Sequence, residues 1–183
     1  MSSRRGPLAL VVMGVSGSGK TTVGRRLAAE LGWEFLDADA FHPPENVAKM
    51  AVGQPLTDAD RAPWLAALAR VLAEAVGAGR GVVLACSALK RAYRDVLRSA
   101  GPGVAFLYLR CEPDLVRERV AARPGHFFPA ALVDTQFAAL EEPDPAVEDD
   151  VLVADARAPL EGYTREWAER RLAALSGARR RGP

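Results

Sequence analysis

Residues 14–21 read Gly-Val-Ser-Gly-Ser-Gly-Lys-Thr, and this segment constrains the fold more than any other part of the chain. It matches the phosphate-binding loop pattern: a glycine, four further residues, a second glycine, a lysine, and a serine or threonine. The apolar run at 8–13 is typical of a buried strand, and the amphipathic stretch at 22–31 is typical of a helix. This strand–loop–helix context favours a nucleotide-binding α/β domain over a chance match in a glycine-containing loop.

Each position of this loop has a predicted role in binding a nucleoside triphosphate. The glycines let backbone N–H groups converge on phosphate oxygens, and the N-terminus of the following helix adds positive potential. Lys20 is expected to reach the β- and γ-phosphates, and the Thr21 hydroxyl to bind Mg²⁺. The predicted ATP-binding residues of this segment are Gly14, Val15, Ser16, Gly17, Ser18, Gly19, Lys20, Thr21 and Thr22.

Strand-like and helix-like segments alternate along the chain. Strand-like runs lie near residues 8–13, 34–38, 81–87, 104–110 and 150–154. Helix-like segments lie near residues 20–31, 45–52, 58–77, 89–99, 113–123, 129–141 and 159–174. This alternation is typical of an α/β fold, in which helices cover both faces of a parallel sheet. The 183 residues suit a single domain with frayed ends at 1–7 and 176–183.

Composition disfavours several classes of protein. The formal net charge is +1, so no large basic face toward nucleic acid is expected. The longest apolar runs are too short to span a membrane, and the basic start lacks the apolar core of a secretory signal. Cys86 and Cys111 each end an apolar run, which favours buried free thiols over a disulfide or metal pair. We therefore expect a cytoplasmic protein.

Lysine is rare in this chain. Among 24 lysine and arginine residues, only Lys20, Lys49 and Lys90 are lysines. In a chain that otherwise uses arginine, a lysine indicates a site that needs a compact ammonium group rather than a planar guanidinium. Lys49 and Lys90 are therefore predicted anion or substrate contacts, with ordinary surface lysines as the alternative.

Two aspartates follow the second strand-like run, in the region where open parallel sheets bind their ligands. Asp37 and Asp39 are two residues apart, so on an extended chain both side chains point the same way. Asp37 is predicted to support the Mg²⁺ shell, and Asp39 to accept the proton of an attacking hydroxyl. The alternative is a pair of loop-capping carboxylates. His42 is either structural or a contact to a polar substrate.

These segments resemble those of the bacterial-type gluconokinases, small P-loop kinases that phosphorylate D-gluconate. The most specific matches are His42-Pro43, Cys86-Ser-Ala-Leu-Lys90 and Gly125-His-Phe-Phe128, within a resemblance that covers about residues 8–172. The resemblance implies a three-layer α/β P-loop kinase fold with a five-stranded parallel sheet flanked by helices. It also implies a substrate-binding excursion at 41–64 and a short lid at 117–128.

The resemblance implies ATP-dependent phosphorylation of the terminal hydroxyl of D-gluconate, with Mg²⁺ as cofactor. Arg119 and Arg123 are four residues apart in the lid and are expected to neutralise the triphosphate, while Arg157 is expected near the adenine. The implied catalytic residues are Lys20, Asp39, Arg119 and Arg123. The implied substrate contacts are Asp39, His42, Lys49, Arg61, Ser87, Lys90, Arg94, His126 and Gln136.

The region after the third strand-like run departs from the common Walker pattern. It ends at Cys86-Ser87 without an aspartate, which leaves Mg²⁺ support to Thr21 and Asp37. Lys90 and Arg94 follow at the start of a predicted helix, where cations are disfavoured unless an anion lies nearby. We therefore interpret both as substrate or phosphate contacts, with a solvated basic helix start as the alternative.

Other functions stay open on this sequence. A kinase for another small polar acid, such as shikimate, shares the phosphate loop, the paired aspartates and the lid arginines. A nucleotide-gated binding protein would need no acceptor, and the paired aspartates argue against it. A nucleic-acid module is disfavoured by the near-neutral charge. The resembled family is often dimeric, so a homodimer is a further expectation.

Overall fold

The computed structural model describes residues 7–122 and 130–178. Within them, five parallel strands form one sheet in the order β2-β3-β1-β4-β5. The strands are β1 Ala9–Met13, β2 Glu34–Asp37, β3 Val82–Ala85, β4 Val104–Arg110 and β5 Val151–Asp155. The predicted parallel sheet is therefore confirmed.

Helices connect the strands and cover both faces of the sheet. They are α1 Lys20–Leu31, α2 Pro44–Ala51, α3 Asp58–Gly77, α4 Arg91–Arg98, α5 Pro113–Ala121, α6 Ala130–Ala139 and α7 Arg165–Ala178. Short 3₁₀ helices occupy Ala38–Phe41 and Leu160–Gly162. None of the helices in these ranges has the length and apolar character that crossing a membrane requires.

The last helix begins later than the sequence predicts. Residues 159–174 suggest one helix, but a 3₁₀ turn occupies Leu160–Gly162 and α7 begins at Arg165. The Thr164 hydroxyl accepts a hydrogen bond from the backbone N–H of Trp167 at 3.2 Å. Threonine is a preferred residue at a helix N-terminus because its hydroxyl satisfies an otherwise unpaired N–H group. This local hydrogen bond sets the start of α7.

The side chains of β1 alternate between two apolar cores. Leu10 packs in the cluster formed with α1 and α7, whereas Val11 packs in the cluster formed with α3 and α4. All five residues of β1 are buried, as expected for a central strand covered on both faces. The result is the three-layer arrangement that the alternating sequence predicts.

The strand register brings three segments together at one edge of the sheet. Val12 pairs with Ala85, and Ala85 pairs in turn with Asp37, so the three residues lie in one row across β1, β3 and β2. Because the strands are parallel, the segments that follow them all emerge on the same side. The phosphate loop, the Asp37 region and the Cys86-Ser87 segment are thereby neighbours.

The start of α3 has a reciprocal capping arrangement. The Thr57 hydroxyl accepts from the backbone N–H of Asp60 at 3.1 Å, and the Asp60 carboxylate accepts from that of Thr57 at 2.9 Å. These bonds satisfy two N–H groups that the helix itself leaves unpaired. Thr57 and Asp60 therefore form a capping box that fixes the start of α3.

A buried ionic cluster joins α4 to the segment before β5. Arg94 binds both carboxylate oxygens of Glu148, through Nε at 2.9 Å and Nη2 at 2.8 Å. Arg98 binds both oxygens of Asp150 at 2.7 and 2.8 Å and also contacts Glu148. Arg94, Glu148 and Asp150 are all buried, so each charge depends on its partners for solvation.

We expect acid to destabilise the fold through Glu148. Burial alone would raise the pKa of Glu148, but hydrogen bonds from Arg94 and Arg98 outweigh burial and lower the pKa from 4.5 to about 2. A carboxylate whose pKa is lower in the folded state stabilises the fold above its unfolded pKa, and this contribution is lost as pH falls toward the folded value. Urea unfolding should therefore show a loss of about 2 kcal/mol from Glu148 between pH 7 and pH 3.

The Glu148→Gln variant is the control for this prediction, because other carboxylates titrate over the same range. It should be less stable than the wild type at pH 7, since Arg94 loses its charged partner. Its stability should then fall by about 2 kcal/mol less than that of the wild type on going to pH 3. Equal pH dependence in the two proteins would contradict the assignment.

Candidate active site

A cavity of about 710 Å³ lies at the carboxyl ends of β1, β2 and β3. Its volume is within the usual range of small-molecule sites. Its wall combines the phosphate loop, the end of β2, the excursion between β2 and α3, and α6. The predicted site residues that line it are Ser16, Gly17, Lys20, Thr21, Asp37, Asp39, His42, Arg61, Ser87 and Gln136.

The backbone of the phosphate loop requires glycine at two positions in particular. Gly14 has φ of +147° and Gly17 has φ of +81°, a region that residues with a side chain rarely adopt. A Cβ atom on Gly14 would lie 2.9 Å from Oγ of Ser18 and 3.0 Å from the carbonyl oxygen of Leu109. A Cβ atom on Gly17 would lie 3.2 Å from Val116. The loop thus keeps the open backbone that close approach of phosphate needs.

Lys20 is folded back over its own loop. Its ammonium group donates a hydrogen bond to the carbonyl oxygen of Val15 at 3.0 Å. Burial lowers the pKa of Lys20, and the negative charges of Asp39 and Asp37 partly offset this effect. The ammonium group therefore lies in the cavity wall within the field of two carboxylates.

The two aspartates reach the cavity by a different backbone path from the one expected. Asp37 ends β2, and its carboxylate accepts a hydrogen bond at 3.0 Å from the backbone N–H of Asp39, at the start of the 3₁₀ helix. The expectation that both lie on an extended chain is wrong, because the backbone turns directly after Asp37. Both residues nonetheless line the cavity, so the capping hydrogen bond of Asp37 does not remove it from the cavity wall.

The donor atoms around this part of the cavity suit a hard cation. Thr21 supplies a hydroxyl, and Asp37 and Asp39 supply carboxylates, all within the same cavity wall. Oxygen ligands of this kind are those that Mg²⁺ prefers, usually together with phosphate oxygens and water. The residues present therefore fit a Mg²⁺ ion shared with the phosphates of a nucleotide.

An aromatic pair forms the excursion side of the cavity. The rings of His42 and Trp64 stack with their centroids 4.3 Å apart and an angle of 15° between their planes. Trp64 is fixed in turn by a hydrogen bond from its indole N–H to the carbonyl of Ala38 at 2.7 Å. Burial lowers the pKa of His42 below its ordinary 6.5, although Asp39 acts in the opposite direction. His42 therefore presents a largely neutral imidazole at neutral pH.

The predicted substrate cations separate into two groups. Arg61 lines the cavity and donates to the carbonyl of Leu56 at 2.5 Å. Lys49 instead forms an ion pair with Asp60 at 2.7 Å, and Lys90 forms one with Asp58 at 2.9 Å. Neither lysine belongs to the cavity wall.

The cation near the start of α4 has an anionic partner, as the electrostatics of a helix N-terminus requires. Lys90 precedes α4 directly, and its anionic partner is Asp58 at the start of α3, which also accepts a hydrogen bond from the Tyr93 hydroxyl. The anion that such a cation needs is thus a carboxylate of the protein itself. The geometry gives no support for Lys49 or Lys90 as substrate contacts.

The prediction that Arg94 contacts the substrate is wrong. Arg94 is 1% exposed, and its guanidinium binds Glu148 and the carbonyl oxygens of Ala88 and Leu89. A buried guanidinium with these partners has no surface left for a ligand in the cavity. Sequence spacing suggested a shared face with Lys90, but the two side chains have different partners: Lys90 pairs with Asp58 on α3, and Arg94 pairs with Glu148 before β5.

Arg119 contacts the phosphate loop and the loop after β5 through their backbone. Its Nη1 donates to the carbonyls of Gly17 and Ser18 at 3.1 and 2.9 Å, and its Nη2 donates to the carbonyl of Ala156 at 2.6 Å. In this arrangement Arg119 ties α5 to the phosphate loop and to the loop after β5. Its predicted action on the transferring phosphoryl group stays a prediction.

The remaining predicted residues have varied positions. Arg123 and His126 lie outside the described residues, as does the second half of the predicted lid, residues 123–128. Thr22 is exposed in the first turn of α1, and Arg157 is exposed in the loop after β5. The backbone N–H of Arg157 donates to the Asp155 carboxylate at 2.7 Å. The roles proposed for these four residues are untested.

Gln136 links α6 to the phosphate loop. Its side-chain oxygen accepts hydrogen bonds from both the backbone N–H and the hydroxyl of Ser16, at 3.2 and 3.3 Å. Gln136 also lines the cavity, together with its neighbour Thr135. The glutamine thus lies where the nucleotide side and the excursion side of the cavity meet.

Nine residues of the cavity wall were not among the predicted site residues, and Trp64 and Cys86 are two of them. Trp64 served only as the end of the excursion, although an aromatic residue in a polar segment was a signal for a stacking surface. Cys86 was interpreted only as a buried thiol. The rule that ligands bind beyond the carboxyl ends of strands would have found it. Burial raises the pKa of Cys86 to about 12, so it stays a neutral thiol in the wall.

Comparisons with known proteins agree with this geometry. A family model described as an AAA domain matches residues 10–143. A gluconokinase from Gluconobacter oxydans (strain 621H) is 55% identical over 137 residues, which cover 75% of this chain and 77% of that protein. The thermoresistant gluconokinase of Escherichia coli (strain K12) is 47% identical over 159 residues, which cover 87% of this chain and 90% of that protein.

Solved structures distinguish the family from the wider fold. A shikimate kinase from Bacteroides thetaiotaomicron has a TM-score of 0.62 at 18% identity, covering 91% of this chain and 98% of that one, which shows a shared fold only. A gluconokinase from Sinorhizobium meliloti 1021 has a TM-score of 0.79 at 46% identity, covering 96% of this chain and 95% of that one. With relatives of this similarity over most of its length, the chain belongs to the gluconokinase family.

Proposed function

We propose that this protein transfers the γ-phosphoryl group of ATP to the terminal hydroxyl of D-gluconate, giving 6-phospho-D-gluconate and ADP. One observation carries this proposal: a phosphate loop, two carboxylates and a polar excursion all line the same cavity. A nucleotide switch would need only the first of these. The identity of the acceptor is inferred from the gluconokinases to which the chain is 47–55% identical.

The nucleotide end of the reaction depends on the phosphate loop. Lys20 exchanges its hydrogen bond to the Val15 carbonyl for oxygens of the β- and γ-phosphates, since an ammonium group binds a phosphate anion more strongly than a neutral carbonyl. Thr21 and Asp37 would hold Mg²⁺, which neutralises charge on the phosphates when bound. The backbone N–H groups of the loop complete the binding of the phosphates.

The acceptor end depends on Asp39. Its exposed carboxylate lines the same cavity as the phosphate loop and orients the terminal hydroxyl of gluconate. The hydroxyl oxygen forms a bond to the γ-phosphorus as the bond from that phosphorus to ADP breaks. The hydroxyl proton passes to Asp39 and then to solvent. Positioning and charge neutralisation contribute most of the catalysis in such a transfer.

Arg61 is the proposed anchor for the substrate carboxylate. It is the cavity-lining guanidinium of the excursion, and a guanidinium can bind a planar carboxylate with two parallel hydrogen bonds. The other cations predicted for this role are each paired with a carboxylate of the protein, as Lys49, Lys90 and Arg94 show. The stacked His42 and Trp64 provide a surface for the carbon chain.

The remaining predicted site residues keep the roles that the sequence suggested. Ser87, Gln136 and His126 are proposed contacts to the acceptor, while Arg119, Arg123 and Arg157 are proposed to act on the nucleotide. A homodimer and a cytoplasmic location are likewise unproven expectations.

The first test is an ADP-release assay with ATP and Mg²⁺ and a panel of acceptors. We expect strong stimulation by D-gluconate and little by shikimate, by other aldonic acids or without acceptor. Asp39→Asn should lower kcat by about 10²- to 10⁴-fold with little change in the KM for ATP, because the general base is lost while the phosphate loop is intact.

The matched control is Asp114→Asn, which removes an exposed carboxylate that pairs with Arg117 on the surface. It should keep full activity. If gluconate still stimulates Asp39→Asn fully, gluconate is the acceptor but Asp39 is not the general base. Binding of nucleotide without stimulation by any acceptor would show that the protein is not a gluconate kinase.

A second test concerns recognition of the carboxylate. Arg61→Ala should lower kcat/KM for D-gluconate by about 10- to 100-fold, since one charge-assisted contact is lost. The same change should barely affect turnover of D-glucitol, which has an alcohol in place of the carboxylate. Steady-state kinetics with both acceptors at saturating ATP measures this difference.

Lys90→Ala is the control for Arg61→Ala, because Lys90 pairs with Asp58 outside the cavity wall. Its kcat/KM for gluconate should stay within about twofold of the wild type, the usual limit for an exposed ion pair. An equal loss for both acceptors in Arg61→Ala would mean that Arg61 does not bind the carboxylate. A large loss of kcat/KM for gluconate in Lys90→Ala would instead assign binding of the carboxylate to Lys90.

A further inference from the structure

Arg94 is a buried charged residue that the proposed reaction does not use directly. Besides its two bonds to Glu148, its Nη1 atom donates to the carbonyl oxygens of Ala88 and Leu89, each at 3.1 Å. These two carbonyls belong to the segment between β3 and α4. The guanidinium thus connects a buried carboxylate on one side to the backbone of that segment on the other.

The backbone that Arg94 holds is strained. Among the residues that the structure describes, Ala88 is the one non-glycine residue with a positive φ, at +45°. Alanine rarely adopts this left-handed conformation, because its Cβ atom crowds the backbone there. Such a conformation persists only where neighbouring contacts impose it. The bonds from Arg94 to the carbonyls of Ala88 and Leu89 are contacts of this kind.

The residue before Ala88 belongs to the active site. Ser87 lines the cavity, and its carbonyl oxygen accepts a hydrogen bond from the backbone N–H of Gly14 at 3.3 Å. Gly14 is the first residue of the phosphate loop. Ala88 therefore directly follows a residue that both lines the cavity and accepts a hydrogen bond from the start of the loop.

We propose that the Arg94–Glu148 pair is a positioning device for the acceptor site. By holding the carbonyls of Ala88 and Leu89, Arg94 keeps Ser87 directed into the cavity, and so it sets the affinity for gluconate without touching it. This proposal rests on the proposed function. Arg94 is a positioning residue, whereas Ser87 is the residue that meets the substrate.

Arg98 provides a matched control within the same ionic cluster. It binds Glu148 and Asp150 and lies over the ring of Phe106, but none of its hydrogen bonds goes to residues 86–89. Replacing either arginine by lysine keeps the charge and removes the bidentate geometry. Arg94→Lys and Arg98→Lys therefore disturb the same cluster, and only the first releases the backbone at Ala88.

The experiment compares KM for gluconate, KM for ATP, kcat and Tm in the wild type, Arg94→Lys and Arg98→Lys. Both variants should have a lower Tm. Arg94→Lys should raise the KM for gluconate about 10-fold while changing the KM for ATP by less than about threefold, and Arg98→Lys should leave both near the wild-type values. An equal rise in both variants, or a rise in neither, would overturn the proposal.

Ala88→Gly supplies a readout that a purely structural role would not move. Glycine adopts a positive φ without strain, so the Ser87 position then depends less on the bonds from Arg94. In the Arg94→Lys background, Ala88→Gly should bring the KM for gluconate back toward the wild type by at least about threefold. A KM that Ala88→Gly leaves unchanged in this background would contradict the positioning role.

A second pair of variants applies if Arg94→Lys does not fold. Glu148→Gln weakens the partner of Arg94, whereas Asp150→Asn weakens a partner of Arg98. The proposal requires that Glu148→Gln raise the KM for gluconate more than Asp150→Asn does. The reverse order would overturn it.

Hydrogen exchange separates this proposal from the proposed function. The amide of Gly14 donates to the Ser87 carbonyl, so its exchange should be faster in Arg94→Lys and unchanged in Arg98→Lys, without any substrate present. If the wild-type protein does not phosphorylate gluconate, the proposed function fails while this exchange difference still tests the positioning role. Equal exchange rates of the Gly14 amide in the two variants would contradict the positioning role of Arg94.

Discussion

Backbone hydrogen bonds hold β1 between β3 and β4, and the position of the phosphate loop follows from them. Each of the five residues of β1 is buried, so the strand has no freedom to shift its register without exposing one of the two cores. The phosphate loop begins directly after Met13 and therefore starts at a defined point. Because β2 and β3 run parallel to β1, Asp37 and Cys86 emerge beside that point.

Charge pairing within the protein decides which cations are available to ligands. Around the cavity, Lys49 and Lys90 are used to fix the start of α3 to its neighbours through Asp60 and Asp58. Such partly exposed pairs contribute little to stability. Arg61 instead lines the cavity, which is why it is the proposed anchor for the substrate carboxylate.

The buried arginine pair follows a different energetic rule. Removing one partner of a buried ion pair is strongly destabilising, because the other charge is left without solvation. Arg94 and Glu148 are therefore fixed far more firmly than the surface pairs, and the backbone bonds of Arg94 pass that rigidity to Ala88. A conformation that alanine rarely adopts can persist beside the active site for this reason.

Short-range patterns in the sequence determined much of this protein. The phosphate loop and the individual strands depend on residues close together in the chain, so local patterns predicted them, and the alternation of strands and helices predicted the parallel sheet. The start of α7 and the turn after Asp37 were missed, because each depends on a single local hydrogen bond, accepted by the Thr164 hydroxyl and by the Asp37 carboxylate. The family matches likewise rest on contiguous segments.

Only the tertiary structure decided which charged side chains face the cavity. Lys49 meets Asp60 11 residues away, Lys90 meets Asp58 32 residues away, and Arg94 meets Glu148 54 residues away. Each cation has several carboxylates within reach in the sequence, and the choice among them depends on how the helices pack. The sequence could identify these residues as charges that need a partner, but the packing of α3, α4 and the segment before β5 determined that the partner is the protein itself.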